Sequence, residues 1–149
     1  MADFVPEDFV PPAGLDGPGF RLEPLGPEHN ERDYAAWSGS MAHIKATSGF
    51  ETWRWPYQMT PDQNLDDLRR HRRDYGNRTG FTYTVLEDGT DDVIGCLYIY
   101  PLKDAGPPGA DVHSWVTERR AELDGPLYTA VSAWLASDWP FERVEYAAR

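Results

Sequence analysis

The chain has 149 residues, a formal net charge of −11, 40% apolar residues and 13% aromatic residues. This length fits one domain, and this apolar content can build a core, which argues against wholesale disorder. The acidity argues against a nucleic-acid backbone or an anionic membrane as the main partner, and suits a soluble protein or a cationic, amine-bearing substrate.

Cys96 is the one cysteine, so an intrachain disulfide framework is impossible. No apolar run approaches the roughly 18 residues of a membrane helix. The N-terminus lacks the basic-then-apolar pattern of a secretory signal, so a cytoplasmic location is expected.

Residues 1–19 hold four prolines and three glycines. They are expected to form an irregular arm that Phe4, Val5, Phe9 and Val10 pin onto the domain or onto a partner subunit. Residues 20–149 read as a single domain. Residues 20–25 alternate apolar and polar and predict a strand. Gly26-Pro27 breaks it, and residues 29–38 predict a helix with Tyr34 and Trp37 one turn apart.

Residues 39–59 carry Met41, His43, Ile44, Phe50, Trp53, Trp55 and Tyr57, aromatics that either close the core or line a pocket. Thr60-Pro61-Asp62-Gln63 is a helix start in which threonine caps, proline fills the first turn and Gln63 completes a capping box. Leu65, Leu68 and Tyr75 supply the apolar stripe of that helix. Its basic run, Arg69-Arg70-His71-Arg72-Arg73, reads as a solvated face opposite upstream acids, or else as an anion or partner contact.

Residues 81–86 and 93–100 predict two strands joined by the acidic turn of residues 87–92, with Gly95 at a bulge. Residues 101–109 form a Pro/Gly loop, and residues 112–116 predict a fourth strand. Leu127, Val131, Trp134 and Leu135 mark a helix over residues 126–138 by their 0, 4, 7, 8 spacing. Asp138-Trp139-Pro140 ends it, and residues 143–147 form the last strand. The expected fold class is therefore α+β: a mixed, mostly antiparallel sheet with one parallel βαβ crossover and helices on both faces.

This order resembles the GNAT superfamily of N-acetyltransferases, and most closely the ribosomal-protein-acetylating type. Three segments carry the likeness: Phe20-Arg21-Leu22-Glu23-Pro24-Leu25, the pair Phe81 to Val85 and Val93 to Tyr100, and the strand–turn–helix from Val112. The resemblance implies acetyl-CoA as co-substrate and an amine of a small molecule or peptide as acceptor. It also implies that strand residues Trp115 and Val116 offer their backbone to the pantetheine arm.

The family's pyrophosphate loop, Arg/Gln-x-x-Gly-x-Gly/Ala, corresponds to Arg120-Ala121-Glu122-Leu123-Asp124-Gly125. Arg120 and Gly125 match, and Arg119 adds a second cation; glycine and a helix N-terminus both favour a bound phosphate. Leu123 replaces the first glycine, Glu122 and Asp124 bring negative charge, and Pro126 removes a donor. Asp124 is expected to cap the helix.

The family commonly places a tyrosine, thought to protonate the CoA thiolate, after the last strand seen here, and no residue matches it. The edge of that strand is expected to be covered by the arm or by a second subunit, which implies a homodimer.

His113 is the candidate general base. Tyr128 either faces the thioester or packs. Cys96 reads as an inert core thiol. His29, His43 and His71 lack metal-ligand spacing, so no metal is expected. Two functional readings follow: an acetyl-CoA-dependent N-acetyltransferase, or a non-catalytic GNAT-like binding or assembly module.

Overall fold

The structure, a computed structural model, describes residues 3–104 and 106–149. Six strands form one sheet in chain order: β1 (Leu15–Gly17), β2 (Phe20–Pro24), β3 (Phe81–Glu87), β4 (Val93–Pro101), β5 (Gly109–Val116) and β6 (Arg143–Tyr146). Every neighbouring pair is antiparallel except β5 and β6, which run parallel. Three helices, α1 (Asn30–Ser38), α2 (Met41–Lys45) and α3 (Pro61–Asn77), lie between β2 and β3, and α4 (Asp124–Asp138) is the crossover from β5 to β6. The mixed sheet with one parallel crossover is the architecture expected from the sequence.

The central strands are buried on both faces, because helices cover both. On one face α4 sets Leu127, Val131, Trp134 and Leu135 against Phe81, Tyr83, Val112 and Val116. On the other, Trp37, Ile44, Phe50 and Leu68 pack on Cys96, Tyr98 and Trp115. α3 begins as its residues predict: Thr60 Oγ1 accepts from the Gln63 amide at 3.1 Å, and Gln63 Oε1 accepts from the Thr60 amide at 2.9 Å. The basic run on α3 is a solvated face, with Arg69 on Asp66 and Arg72 on Glu28. His71 is the exception: it turns inward to the Tyr100 hydroxyl and Thr82 Oγ1.

The N-terminal arm differs from its expectation in one way: it is not wholly irregular, since Leu15–Gly17 pairs with β2 and extends the sheet by one short strand. It docks on its own domain, one of the two alternatives the sequence leaves open. Val5 is buried, Phe4 stacks 5.0 Å from Phe141, Phe9 lies 5.3 Å from Trp139, and Val10 alone of the four stays exposed. The arm lies on the α4 face and leaves β6 paired with β5 alone, with Val144 exposed.

Gly95 sits at a bulge, as its sequence context predicts. Val85 pairs with Gly95 but Leu86 with Val93, so Ile94 is the extra residue. A Cβ at Gly95 would lie 2.4 Å from the Trp115 carbonyl oxygen. Gly95→Ala must therefore push β4 away from β5. It is expected to destabilise the protein by about 1–3 kcal/mol, read as a lower urea midpoint at unchanged slope.

Candidate active site

β5 has 8 residues and β6 has 4. Their pairing runs from Gly109 opposite Arg143 to Val112 opposite Tyr146 and then stops. β5 continues along β4 as far as Val116. Residues 113–116 therefore face a notch where β6 has no counterpart. Ser114 turns its carbonyl into this notch, and by the two-residue period of a strand Val116 presents its backbone to the same side.

One side chain fills the notch. Arg149 Nη2 donates to the Ser114 carbonyl at 2.6 Å, Nε to Asp124 Oδ2 at 2.8 Å, and Nη1 to the Ala147 carbonyl at 2.6 Å. Its side chain is only 5% exposed, and its guanidinium lies 5.7 Å over the Tyr146 ring. The Tyr146 hydroxyl pairs with Ser114 Oγ at 2.5 Å, and burial pushes its phenol up to about 12. Tyr128 packs on Tyr146 with ring centres 4.7 Å apart, so it faces this cluster.

After β5 the chain makes a 3-10 turn, Glu118–Leu123, that runs straight into α4. The expected capping role of Asp124 does not form. Asp124 has helical angles, φ −59° and ψ −47°, whereas a cap needs an extended residue. Its carboxylate is drawn to Arg149 through Oδ2, and its Oδ1 is buried without a partner. Leu123 takes the cap position with no side-chain bond and turns its side chain into the core, not over the turn. A Cβ on Gly125 would meet nothing within 4 Å, so no neighbour crowds that side of the first turn of α4.

The two arginines of the turn have different surroundings. Arg120 is tied to Glu87, whose carboxyl this hydrogen bond holds below its usual range. Arg119 is half-exposed, 3.7 Å from Glu87 and 4.0 Å from Asp92. It borders an open cavity of about 670 Å³ with Arg32, Ser40, Asp92, Thr117 and Glu118. Thr117 Oγ1 is buried without a partner in the same place.

His113 projects from the face of β5 opposite Ser114. Its Nε2 lies 3.0 Å from Asp111 Oδ1, and its Nδ1 is buried without a partner. Trp53 packs on the ring at 4.6 Å and Phe50 at 5.6 Å. Trp115 and Val116 are fully buried in opposite cores, so their side chains have no access to a ligand; the Trp115 backbone, expected to face a bound arm, faces β4 instead, and only the Val116 backbone faces the notch. The Cys96 thiol is buried and pushed well up by that burial, as an inert core thiol should be.

Trp53 also walls a second cavity, of about 340 Å³, together with Trp55, Tyr57, Tyr98, Tyr100 and Asp33. Asp33 is 4% exposed, and burial pushes its carboxyl up to about 6 against the hydrogen bond from Asn64 Nδ2 at 3.0 Å. The aromatics of residues 39–59 thus do both things their composition allows: Phe50 closes the core, and Trp53, Trp55 and Tyr57 line a pocket.

No family model matches the sequence, and no curated protein matches it. Solved structures do match. A protein provisionally named a ribosomal-protein-serine acetyltransferase from Vibrio cholerae is 14% identical with a TM-score of 0.72, over 93% of this chain and 75% of that one. The ribosomal-protein-S5-alanine acetyltransferase from Vibrio fischeri is 10% identical with a TM-score of 0.70, over 91% and 73%. Mycobacterium smegmatis RimJ, in complex with CoA-disulfide, is 14% identical with a TM-score of 0.69, over 91% and 66%.

The fold is that of the GNAT N-acetyltransferases.

On this GNAT fold the site residues read from the sequence separate into groups. The backbones of Ser114 and Val116 face the notch, whereas Arg119 lines the separate cavity beside α1 and the β3–β4 turn, and Arg120 is engaged by Glu87. His113 stands on the other face, beside the aromatic pocket. Ser114, Tyr146 and Arg149 at the notch and Asp33 at the aromatic cavity are candidate residues that the sequence does not announce. Among the described residues no group of three or more His, Cys, Asp or Glu side chains could hold a metal ion, and no helix is long and apolar enough to cross a membrane.

Asp33 sets a pH dependence. Its carboxyl is raised in the folded protein from 3.8 to about 6. The folded state therefore binds this proton more tightly than the unfolded state. The stability it contributes is complete below pH ~4 and is lost as pH rises through about 6. Asp33→Asn removes that loss. The variant's stability relative to wild type should rise by up to roughly 3 kcal/mol between pH ~4 and ~7, measured by urea unfolding at each pH.

Proposed function

We propose that this chain is an acetyl-CoA-dependent N-acetyltransferase acting on an amine of a peptide or small molecule. The observation that carries the reading is the notch left by the early end of β6 pairing. It leaves strand backbone at Val116 unpaired by β6 and that at Ser114 held only by the Arg149 side chain, beside a helix start free of any side-chain cap. The likeness to M. smegmatis RimJ, solved with CoA-disulfide, supports it.

Acetyl-CoA would supply an acetyl group activated as a thioester. The rest of the work falls to this chain. Ser114 and Val116 would take the arm's amides by backbone hydrogen bonds, with Arg149 displaced from the Ser114 carbonyl. The helix start at Gly125 and the Arg119 guanidinium would favour phosphate. With Nε2–H donated to Asp111, a tautomer assigned from the hydrogen bond, His113 holds an unpartnered Nδ1 that the neighbouring Gly49 would have to uncover before it accepted the proton of an ammonium or attacking amine.

Calorimetric titration with acetyl-CoA tests the reading. Micromolar binding that free CoA competes away is expected. Arg149→Ala should bind more tightly, because the variant no longer has to break the Arg149–Ser114 contact. Arg119→Ala should weaken binding by at least about tenfold, the loss of one charge-assisted contact, whereas Arg120→Ala should lower stability and leave affinity nearly unchanged. No binding by either wild type or Arg149→Ala would overturn the proposal. His113→Ala should lower kcat by roughly 10²–10⁴-fold with the acetyl-CoA affinity intact.

A further inference from the structure

Asp33 is the one carboxylate buried in the core among the described residues. A buried carboxylate is costly unless paired. Asn64 is its one side-chain donor, and Asp33 takes part in none of the ion pairs of the described residues. What it does have is a cavity of about 340 Å³, at the small end of ligand pockets, walled by indole and phenol rings. Tyr98 anchors that wall, 5.6 Å from Trp53 and 6.3 Å from Trp55.

Several other polar groups of the cavity are already engaged. The Tyr98 hydroxyl accepts from Trp115 Nε1, and the Tyr100 hydroxyl donates to Asp74. His71 is neutral, held down to about 3 by burial and then by Arg70. Arg70, the one cation on the wall, has its charge offset by Asp67 at 3.9 Å and Asp74 at 3.7 Å. The pocket thus offers ring faces, the half-satisfied buried carboxylate of Asp33 and, at its rim, the partly exposed carboxylate of Asp67. Ring faces attract cations, and they select bulky, weakly hydrated ones over compact ones that must keep hydrogen bonds.

We propose that this pocket binds an alkylated ammonium group, tertiary or quaternary, with Asp33 as counter-ion and Trp53, Trp55, Tyr57 and Tyr98 as the aromatic walls. A quaternary ammonium has no N–H to acylate, so the site goes beyond acetyl transfer: it holds a cationic handle, not the reacting nitrogen. Asp33 must be ionised to serve. The groups that face it are His29 before α1, Asp67, Arg70 and His71 on α3, and Cys96 and Tyr98 on β4.

The test uses tetramethylammonium chloride as probe on the full chain, without acetyl-CoA, so that its outcome is separate from that of the acetyltransferase reading. Binding is followed by tryptophan fluorescence and calorimetry at constant ionic strength, with sodium chloride and methylammonium chloride as comparisons. Saturable binding is expected, at least about tenfold tighter for tetramethylammonium than for methylammonium. It should weaken below pH ~6 as Asp33 takes its proton.

Asp33→Asn should lose at least about tenfold in affinity and all of that pH dependence. Tyr57→Ala removes a wall residue that is 50% exposed and so leaves the fold intact, and it should also weaken binding severalfold. Absence of saturable binding, equal affinity for methylammonium, or Tyr57→Ala binding like wild type would each overturn the proposal.

Discussion

The parallel strands β5 and β6 hold each other over four residue pairs. Strand backbone left unpaired beyond them still needs partners, since a buried carbonyl without one costs about as much as a lost hydrogen bond. In this structure Arg149 meets that need at Ser114 and is itself held by Asp124. The geometry of the turn follows. With Asp124 committed to Arg149, no side chain caps α4, and no neighbour crowds its first turn at Gly125. One short pairing therefore explains the notch, the clasp across it and the uncapped helix together.

The alternation of β5 divides the chemistry between the two faces of the sheet. Ser114 points toward Tyr146 and α4, while Asp111 and His113 share the other face with Phe50, Trp53 and Tyr98. Ser114 borders the notch on one face, and on the other His113 packs against Trp53, a wall of the aromatic pocket, just past the point where the strands part.

Elements with strong local signals were legible from the residues alone. The capping box at Thr60, the apolar stripe of α4 and the β3–β4 hairpin all form where their patterns put them. β1 was not legible, because Leu15-Asp16-Gly17 is too short to show a period and pairs only once β2 is in place. Asp124 misled for a different reason. Its local context is a good cap, but its partner Arg149 is 25 residues away, a distance no local rule covers. Asp33 sits in Asn30-Glu31-Arg32-Asp33, a wholly polar run at the start of α1. Only the fold of α1 against α3 turns it inward to Asn64 and the tryptophans. The paired arginines showed their charge but not that Glu87, at the end of β3, had claimed one of them.

Cys96 lies mid-strand in β4, 1% exposed, between two strands that are themselves covered on both faces. The thiolate is the species that reacts with alkylating and disulfide reagents, and here it forms only when the centre of the sheet opens to water. The lone thiol is therefore a built-in clock for the deepest opening of the molecule. Its labelling rate reports how often the sheet comes apart, free of any background from a second sulfhydryl.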